Sequence, residues 1–281
     1  MKIDELRLSK ILLCARKRKG LTQTQVSSMT GITQGTLSKV ESYQCSVSAK
    51  HWFLLSRILD IPSDSVWSGY IDRGIRPCNE TEKNVFKLPK KYLKNSHSSV
   101  KEIIPILQYI REKFGEEQLK EALNQLKVTD LFFVDLNNKI NFLFACDLLK
   151  SFYGENLSEQ LFKEIAKYSK DANLQGTHSR EFQKKNNSLS LLRVYLESAP
   201  YRQDAYSYNI TEKTSEFIKF ELVPNKDAFA TTQKVKSIFI PFKKAYIEAL
   251  CSIENKSSIR LVLSEGLGDG VLRFRAIGQA I

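Results

Sequence analysis

The segment that most constrains the fold is residues 21–42, with the sequence LTQTQVSSMTGITQGTLSKVES. Thr22 and Gln25 have the spacing of a capping box, in which two side chains satisfy backbone N–H groups at the start of a helix. Gly31 tolerates the left-handed conformation that ends a helix, and Thr33 can cap a second one. The sequence therefore predicts two short helices joined by a tight glycine turn.

The facing sides of these two helices carry small and apolar residues. Val26 and Ser27 lie on the inner face of the first helix, and Leu37 and Val40 lie on that of the second. Because Ser27 is small, the two backbones can cross closely at a steep angle, which leaves the other face of the second helix free. That free face is polar and consists of Gln34, Thr36, Ser38 and Lys39.

Residues 6–69 resemble the helix-turn-helix domains of Cro and the lambda-type phage repressors, the XRE family. The agreement covers residues 20–23, 26–27, 31–34, 37–41 and 59–62. The resemblance implies a five-helix, all-α domain that binds double-stranded DNA and places the second helix of the motif in the major groove. Two positions depart from the family, since Ser27 replaces the usual alanine and Gly35 lies where relatives often have a base-contacting side chain.

The resemblance also implies roles for the polar residues of the second helix. Gln34 is expected to be the main base-reading residue, since an amide can form two hydrogen bonds with adenine. Thr36, Ser38 and Lys39 are expected to make further contacts with bases. Lys39 faces the groove only partly, because five residues along a helix rotate it by about 140° from Gln34.

Two other pairs of residues take roles from the same resemblance. Gln23 and Thr33 are expected to contact DNA phosphates, Gln23 through its backbone N–H at the start of a helix. Arg16 and Glu41 match the family's internal ion pair, which ties the first helix to the third and is structural.

The distribution of charge agrees with a nucleic-acid partner. The 281 residues include 43 Lys and Arg against 31 Asp and Glu, a net charge of +12. Residues 1–70 hold ten of the basic and five of the acidic residues, and Glu41 is the only acid between residues 6 and 59. Such a basic stretch is typical of a small nucleic-acid-binding module, although the total charge alone also fits an anionic membrane surface.

The chain divides into a helix-turn-helix domain at residues 1–69, a basic linker at 70–98 and a second domain at 99–281. Helical spacing of apolar residues continues to about residue 170, and alternation with a period of two predicts strands after about residue 200. A helix is predicted at 239–251, and a hairpin turn at 264–270 separates the last two strands. The second domain is therefore predicted to be α+β.

The second domain is expected to sense a ligand or to self-associate. Its many aromatic residues between 132 and 246 can line a ligand pocket or form a core. Residues 125–149 are distantly similar to the N-terminal effector domain of AraC-type regulators, and residues 249–274 to small-molecule sensor domains of the vinyl-reductase type. These resemblances imply sensing, and the expected effector is a small molecule or a peptide. A homodimer is also expected, because one small helix-turn-helix buries too little DNA surface for tight specific binding.

Nothing in the sequence indicates a membrane segment, a metal site or catalysis. No apolar run approaches the ~20 residues of a membrane span, and the N-terminus lacks a signal-peptide core, so a cytoplasmic location is expected. The five cysteines form no CxxC pair, and His51, His97 and His178 have no ligand spacing. The glycines at 266, 268 and 270 lack the Lys-Ser/Thr of a phosphate loop. We therefore expect no enzyme activity, no metal and no cofactor.

Three alternatives stay open at this point. A peptide-responsive regulator of the Rgg and PlcR kind resembles the chain in length and N-terminal domain, but it carries an all-helical repeat domain that the predicted strands disfavour. A protein-interaction or antitoxin-like protein would use the motif mainly for a protein partner. An enzyme fused to a DNA-binding domain is the third alternative.

Overall fold

The computed structural model describes residues 5–72, 86, 88–94, 96, 98–169, 184–198, 206–224, 233–253, 257–266 and 271–280. These residues fall into two compact units, which are described separately. The first unit consists of Met1–Lys87 together with the later segment Val128–Asn138. The second unit contains the other described residues. Most of the predicted linker, including its central part at 73–85, lies outside the described residues.

The first unit contains the predicted set of five helices. They are α1 (Glu5–Arg18), α2 (Gln23–Thr30), α3 (Gln34–Glu41), α4 (Ala49–Leu59) and α5 (Ser65–Ser68). The prediction of an N-terminal all-α domain is confirmed.

One apolar core holds the first four helices of this unit together. Its fully buried side chains are Ile11, Leu12, Ala15, Val26, Leu37, Leu55 and Leu59. Burying one of its valine, leucine or isoleucine side chains stabilises the fold by about 1.5–3 kcal/mol, so the core gives these short helices the stability that they lack alone. Ser27 is half-buried beside Val26, as the close crossing of α2 and α3 requires.

The segment Val128–Asn138 packs on α1 within the first unit. Its 3-10 helix (Asp130–Val134) pairs with α1 through Lys10 and Asp130, whose charged atoms lie 2.8 Å apart. A second ion pair joins Arg18 to the buried Asp135 at 3.2 Å. Ile71 adds two backbone hydrogen bonds, one to Val134 and one from Leu136. The sequence division placed this segment inside a continuous second domain and did not anticipate its return to the first unit.

The second unit is α+β, as predicted. Its first part contains α6 (Lys90–Leu93), β1 (Ser98–Ser99), α7 (Val100–Phe114), α8 (Glu116–Gln125), β2 (Lys139–Ile140), α9 (Leu143–Tyr153) and α10 (Glu159–Ala166). Its later part contains α11 (Ser188–Glu197), β3 (Tyr206–Lys213), β4 (Phe217–Pro224), α12 (Gln233–Leu250), β5 (Ser257–Gly266) and β6 (Leu272–Ala280). Pro105 lies inside α7, as expected from its early position.

Two antiparallel sheets organise the second unit. Strands β1 and β2 form a two-stranded ladder in which Ser98 pairs with Ile140. The other four strands form one sheet in the order β3-β4-β6-β5, so β3 and β5 are its edges. Helix α12 packs against α10 and against β5. The predicted turn at 264–270 begins within β5, and residues 267–270 lie outside the described part of the chain.

A buried ion pair joins helices α7 and α12 of the second unit. The Lys243 ammonium on α12 donates to the carboxylate of Glu102 on α7, and both side chains are almost fully buried. The rings of Tyr195, Tyr208 and Tyr246 surround the ammonium at 5.5–5.6 Å from their centroids. Because aromatic faces are negative, this arrangement stabilises the buried positive charge.

None of the described helices is long and apolar enough to cross a membrane. Among the described residues, no group of three or more His, Cys, Asp or Glu side chains is placed to hold a metal ion. His97 and His178 lie outside the described residues, and His51 lies half-buried in the first turn of α4.

Candidate nucleic-acid interface

Side-chain caps begin both helices of the motif. The Thr22 hydroxyl accepts a hydrogen bond from the Gln25 N–H at 3.1 Å, and the Gln25 side chain accepts one from the Thr22 N–H at 2.8 Å. Gly31 ends α2 in the left-handed conformation, with φ of 72°. Thr33 caps α3 by accepting from the Thr36 N–H at 3.1 Å. These local bonds fix the angle at which α3 leaves the turn.

Helix α3 presents one polar face to solvent. Gln34 and Lys39 are exposed, whereas Thr36 and Ser38 are half-buried. The opposite side of the helix buries Leu37 and Val40 in the core. All four residues that are predicted to contact bases therefore lie on α3, with Gln34 at its first position.

Gly35 leaves a gap on this face. A Cβ atom added at Gly35 meets nothing within 4 Å, so the position is open. The side chains available for contact on this face are therefore those on either side of Gly35.

A line of hydrogen bonds connects Gln34, on the polar face of α3, to the interior of the first unit. Both oxygens of Glu41 accept from the Arg16 guanidinium, at 2.5 and 2.7 Å, and the two side chains are mostly buried. The Gln23 side chain donates to Glu41 at 2.9 Å and accepts from Gln34 at 2.7 Å. Arg16 also donates to the Leu21 carbonyl at 2.7 Å. The internal ion pair therefore orients Gln23, and Gln23 orients Gln34.

The hydrogen bond that Gln34 donates to Gln23 leaves part of the Gln34 amide free. One amide hydrogen of Gln34 is used by Gln23, and within the described residues the other hydrogen and Oε1 have no protein partner. One donor and one acceptor on the same amide are what a bidentate contact with adenine needs. Fixing the side chain beforehand lowers the entropy that binding would otherwise cost.

The two predicted phosphate contacts lie at helix starts. Gln23 is the first residue of α2, and its side chain is already bonded to Glu41 and Gln34, which leaves its backbone N–H for the predicted phosphate contact. The exposed Thr33 hydroxyl lies 2.8 Å from that of Thr36 while it caps α3. Helix N-termini carry partial positive charge, and both positions therefore suit an anionic oxygen.

Sequence reasoning missed the role of the Gln23 side chain. It assigned Gln23 a backbone contact only, whereas the structure shows the side chain bridging Glu41 and Gln34. The available signal was that glutamines occupy the first position of two successive, steeply crossed helices, which brings their long side chains within reach of each other.

Residues 15–66 match the family model described as helix-turn-helix. The N-terminal part of this chain is an XRE-family helix-turn-helix domain. The presence of this domain supports a role as a DNA-binding transcription regulator. No curated protein matches the chain.

Solved structures of H-NOX proteins show a distant similarity. The Fe(II) unliganded H-NOX protein from K. algicida is 13% identical, with coverage of 65% of this chain and 97% of that one and a TM-score of 0.44. The Fe(II) H-NOX mutant from S. oneidensis is 10% identical, with coverage of 64% and 96% and a TM-score of 0.47. An oxygen-binding H-NOX domain related to soluble guanylate cyclases is 13% identical, with coverage of 63% and 93% and a TM-score of 0.43. Scores at this level give no ground for assigning a shared fold or ligand.

Proposed function

We propose that this protein is a sequence-specific regulator in which α3 reads bases in the major groove. The proposal depends above all on the hydrogen-bonded line from Arg16 through Glu41 and Gln23 to Gln34. A side chain that only interacts with water needs no such support, whereas a base-reading amide benefits from being held in one orientation. The exposed Lys39 on the same helix adds a cation that can reach a base or a phosphate.

We propose further that the protein acts as a cytoplasmic homodimer whose second unit senses an effector or supplies self-association. Two helix-turn-helix domains on half-sites one helical turn apart, about 34 Å, would double the contact surface. The four-stranded sheet of the second unit weighs against the peptide-responsive alternative, whose relatives carry an all-helical repeat domain. The proposed role is regulatory and not enzymatic.

Selection of binding sites from a random DNA pool tests the base-reading role. The full chain is expected to enrich a motif with two half-sites, and Gln34→Ala is expected to lose the preference at one base pair of each half-site. Gln23→Ala should weaken that same preference, because Gln34 loses its support. Gln118→Ala, an exposed glutamine on α8, is the matched control and should select the wild-type motif.

The same experiment separates the proposal from its alternatives. Failure of the wild-type chain to enrich any motif, with one stoichiometric protein co-purifying, would favour the antitoxin-like alternative. Light scattering with and without the selected DNA measures the oligomeric state. A strict monomer in both conditions would contradict the homodimer.

A further inference from the structure

The second unit contains a cavity of about 570 Å³ between two helices and the edge of its larger sheet. Helices α10 and α12 form one side, and strands β5 and β6 form the other. Small-molecule sites in proteins usually have volumes of about 300–1,000 Å³. The volume of the cavity is therefore within the range of small-molecule sites.

The floor of the cavity is apolar and firmly held. Ile259 and Phe274 from the sheet and Ala245 from α12 are all buried. The Phe274 ring stacks on Phe220 of the neighbouring strand, with centroids 5.5 Å apart. Such a floor favours a hydrocarbon or aromatic group, because burying apolar surface is favourable by about 25 cal/mol per Å².

Cations from three different elements line the rim. They are Lys163 on α10, Lys244 on α12 and Arg260 on β5. In the described part of the chain none of the three lies within ion-pair distance of an acid. Lys163 and Arg260 are exposed and Lys244 is half-buried, so all three can meet a ligand at the opening. A cation without an acidic partner favours an anionic ligand, and the planar fork of arginine can bind a carboxylate or a phosphate with two hydrogen bonds.

Two acids also line the cavity and limit the charge that a ligand can carry. Glu248 accepts a hydrogen bond from the Leu261 N–H at 2.7 Å, which ties its carboxylate to the edge of β5. Glu159 is exposed in the first turn of α10. With three cations and two carboxylates, the rim has a surplus of one positive charge, which matches a ligand with a single negative charge.

We propose that this cavity binds a small amphipathic carboxylate. The carboxylate lies against Arg260 and Lys244, and the apolar body covers Phe274 and Ala245. The proposal rests on the effector-sensing role proposed above, to which it adds the chemical class of the effector. It concerns residues of the second unit only, so it can be tested apart from DNA binding.

Calorimetric titration of the full chain with three probes tests the proposal. Octanoate has both the carboxylate and the tail, octanol has the tail alone, and inorganic phosphate has the charge alone. Octanoate is expected to bind with one-to-one stoichiometry, at least tenfold more tightly than either of the other two. Equal affinities for octanoate and octanol, or no binding of any probe at millimolar concentration, would overturn the proposal.

Variants then locate the site. Arg260→Gln removes the exposed rim cation and should weaken octanoate binding at least fivefold, while Ala245→Leu should weaken it by filling the floor. Arg275→Gln, an exposed arginine on β6 outside the cavity, is the matched control and should bind as the wild type does. Octanoate binding that survives both cavity variants, with their circular dichroism unchanged, would place the probe elsewhere and overturn the proposal.

DNA binding measured on the same preparations separates the two proposals. Octanoate binding without retention of DNA would contradict the proposed regulatory function and leave the carboxylate site standing. Binding to a selected DNA site without binding of octanoate would overturn the carboxylate site and leave the proposed regulatory function standing.

Discussion

Glu41→Ala should both destabilise the first unit and loosen the side chain of Gln34, the proposed base reader. The substitution removes the acceptor for two guanidinium bonds from Arg16 and one amide bond from Gln23. The Glu41 side chain is 4% exposed and that of Arg16 is 12% exposed, so the remaining guanidinium would be mostly buried without its carboxylate. Removing one partner of a buried pair costs about 3–5 kcal/mol. We expect a value of about 3 kcal/mol, because Arg16 keeps its bond to Leu21.

Urea denaturation followed by tryptophan fluorescence measures this loss. The chain has two tryptophans, Trp52 and Trp67, and both lie in the first unit. Fluorescence excited at a wavelength that tryptophan absorbs and tyrosine does not therefore reports that unit alone. The double variant Arg16→Met with Glu41→Leu removes both charges and should recover most of the stability, because no charge is then left unpaired. A loss below about 1 kcal/mol for Glu41→Ala would refute the reasoning, since exposed ion pairs contribute that little.

Three further predictions concern other parts of the molecule. Glu102→Ala leaves Lys243 buried without that carboxylate and should lower the stability of the second unit by about 3–5 kcal/mol. The double variant Glu102→Leu with Lys243→Met should have nearly the wild-type stability, because it removes both charges. Circular dichroism during denaturation measures both variants. Gly35→Ala should stabilise α3 by about 0.5–1 kcal/mol in the tryptophan assay, because the added methyl group meets nothing and alanine favours helix; a loss of stability would contradict this. Burial raises the pKa of Tyr92 to about 12, and its hydroxyl donates to Asp147 at 2.8 Å. The neutral Tyr92 hydroxyl therefore contributes its full stability below pH 10, and this contribution is lost as the pH rises from 10 through 12. The free energy of unfolding should fall less steeply with pH in Tyr92→Phe than in the wild type. Equal slopes in the two proteins would contradict the assignment.

The helix-turn-helix domain could be predicted from the sequence because its signals are local. The capping residues Thr22 and Thr33, the glycine at 31 and the apolar spacing of Leu37 and Val40 all act within a few residues of one another. Each of them determines backbone geometry directly, and the structure shows these caps and this turn as predicted. The strands of the second unit were predictable for a similar reason, because their alternation reflects one buried and one exposed face.

Long-range contacts explain most of what the sequence did not predict. The strands β1 and β2 are two residues long and exist only because Ser98 meets Ile140 from a distant part of the chain. The packing of Asp130 and Asp135 on α1 likewise depends on tertiary partners, and nothing in the acids' own neighbourhood indicates it. The link from Gln23 to Gln34 depends on the angle between two helices, which the pattern fixes only approximately.

Helix α11 is a different case, because its sequence carries local helix signals. Asn187 caps it by accepting from the Ser190 N–H at 2.8 Å, and apolar residues follow at helical spacing. It lies between the helical spacing that continues to about residue 170 and the strands predicted after about residue 200.

The central claim is that Gln34 reads a base pair from α3. Its most direct test is the affinity of the wild-type chain and of Gln34→Ala for a selected site and for each single-base variant of that site, at one salt concentration. The wild type should lose about 1–3 kcal/mol of binding free energy when one A·T pair is changed, and Gln34→Ala should lose this discrimination while it still binds DNA non-specifically. Unchanged discrimination in Gln34→Ala at every position would contradict the claim.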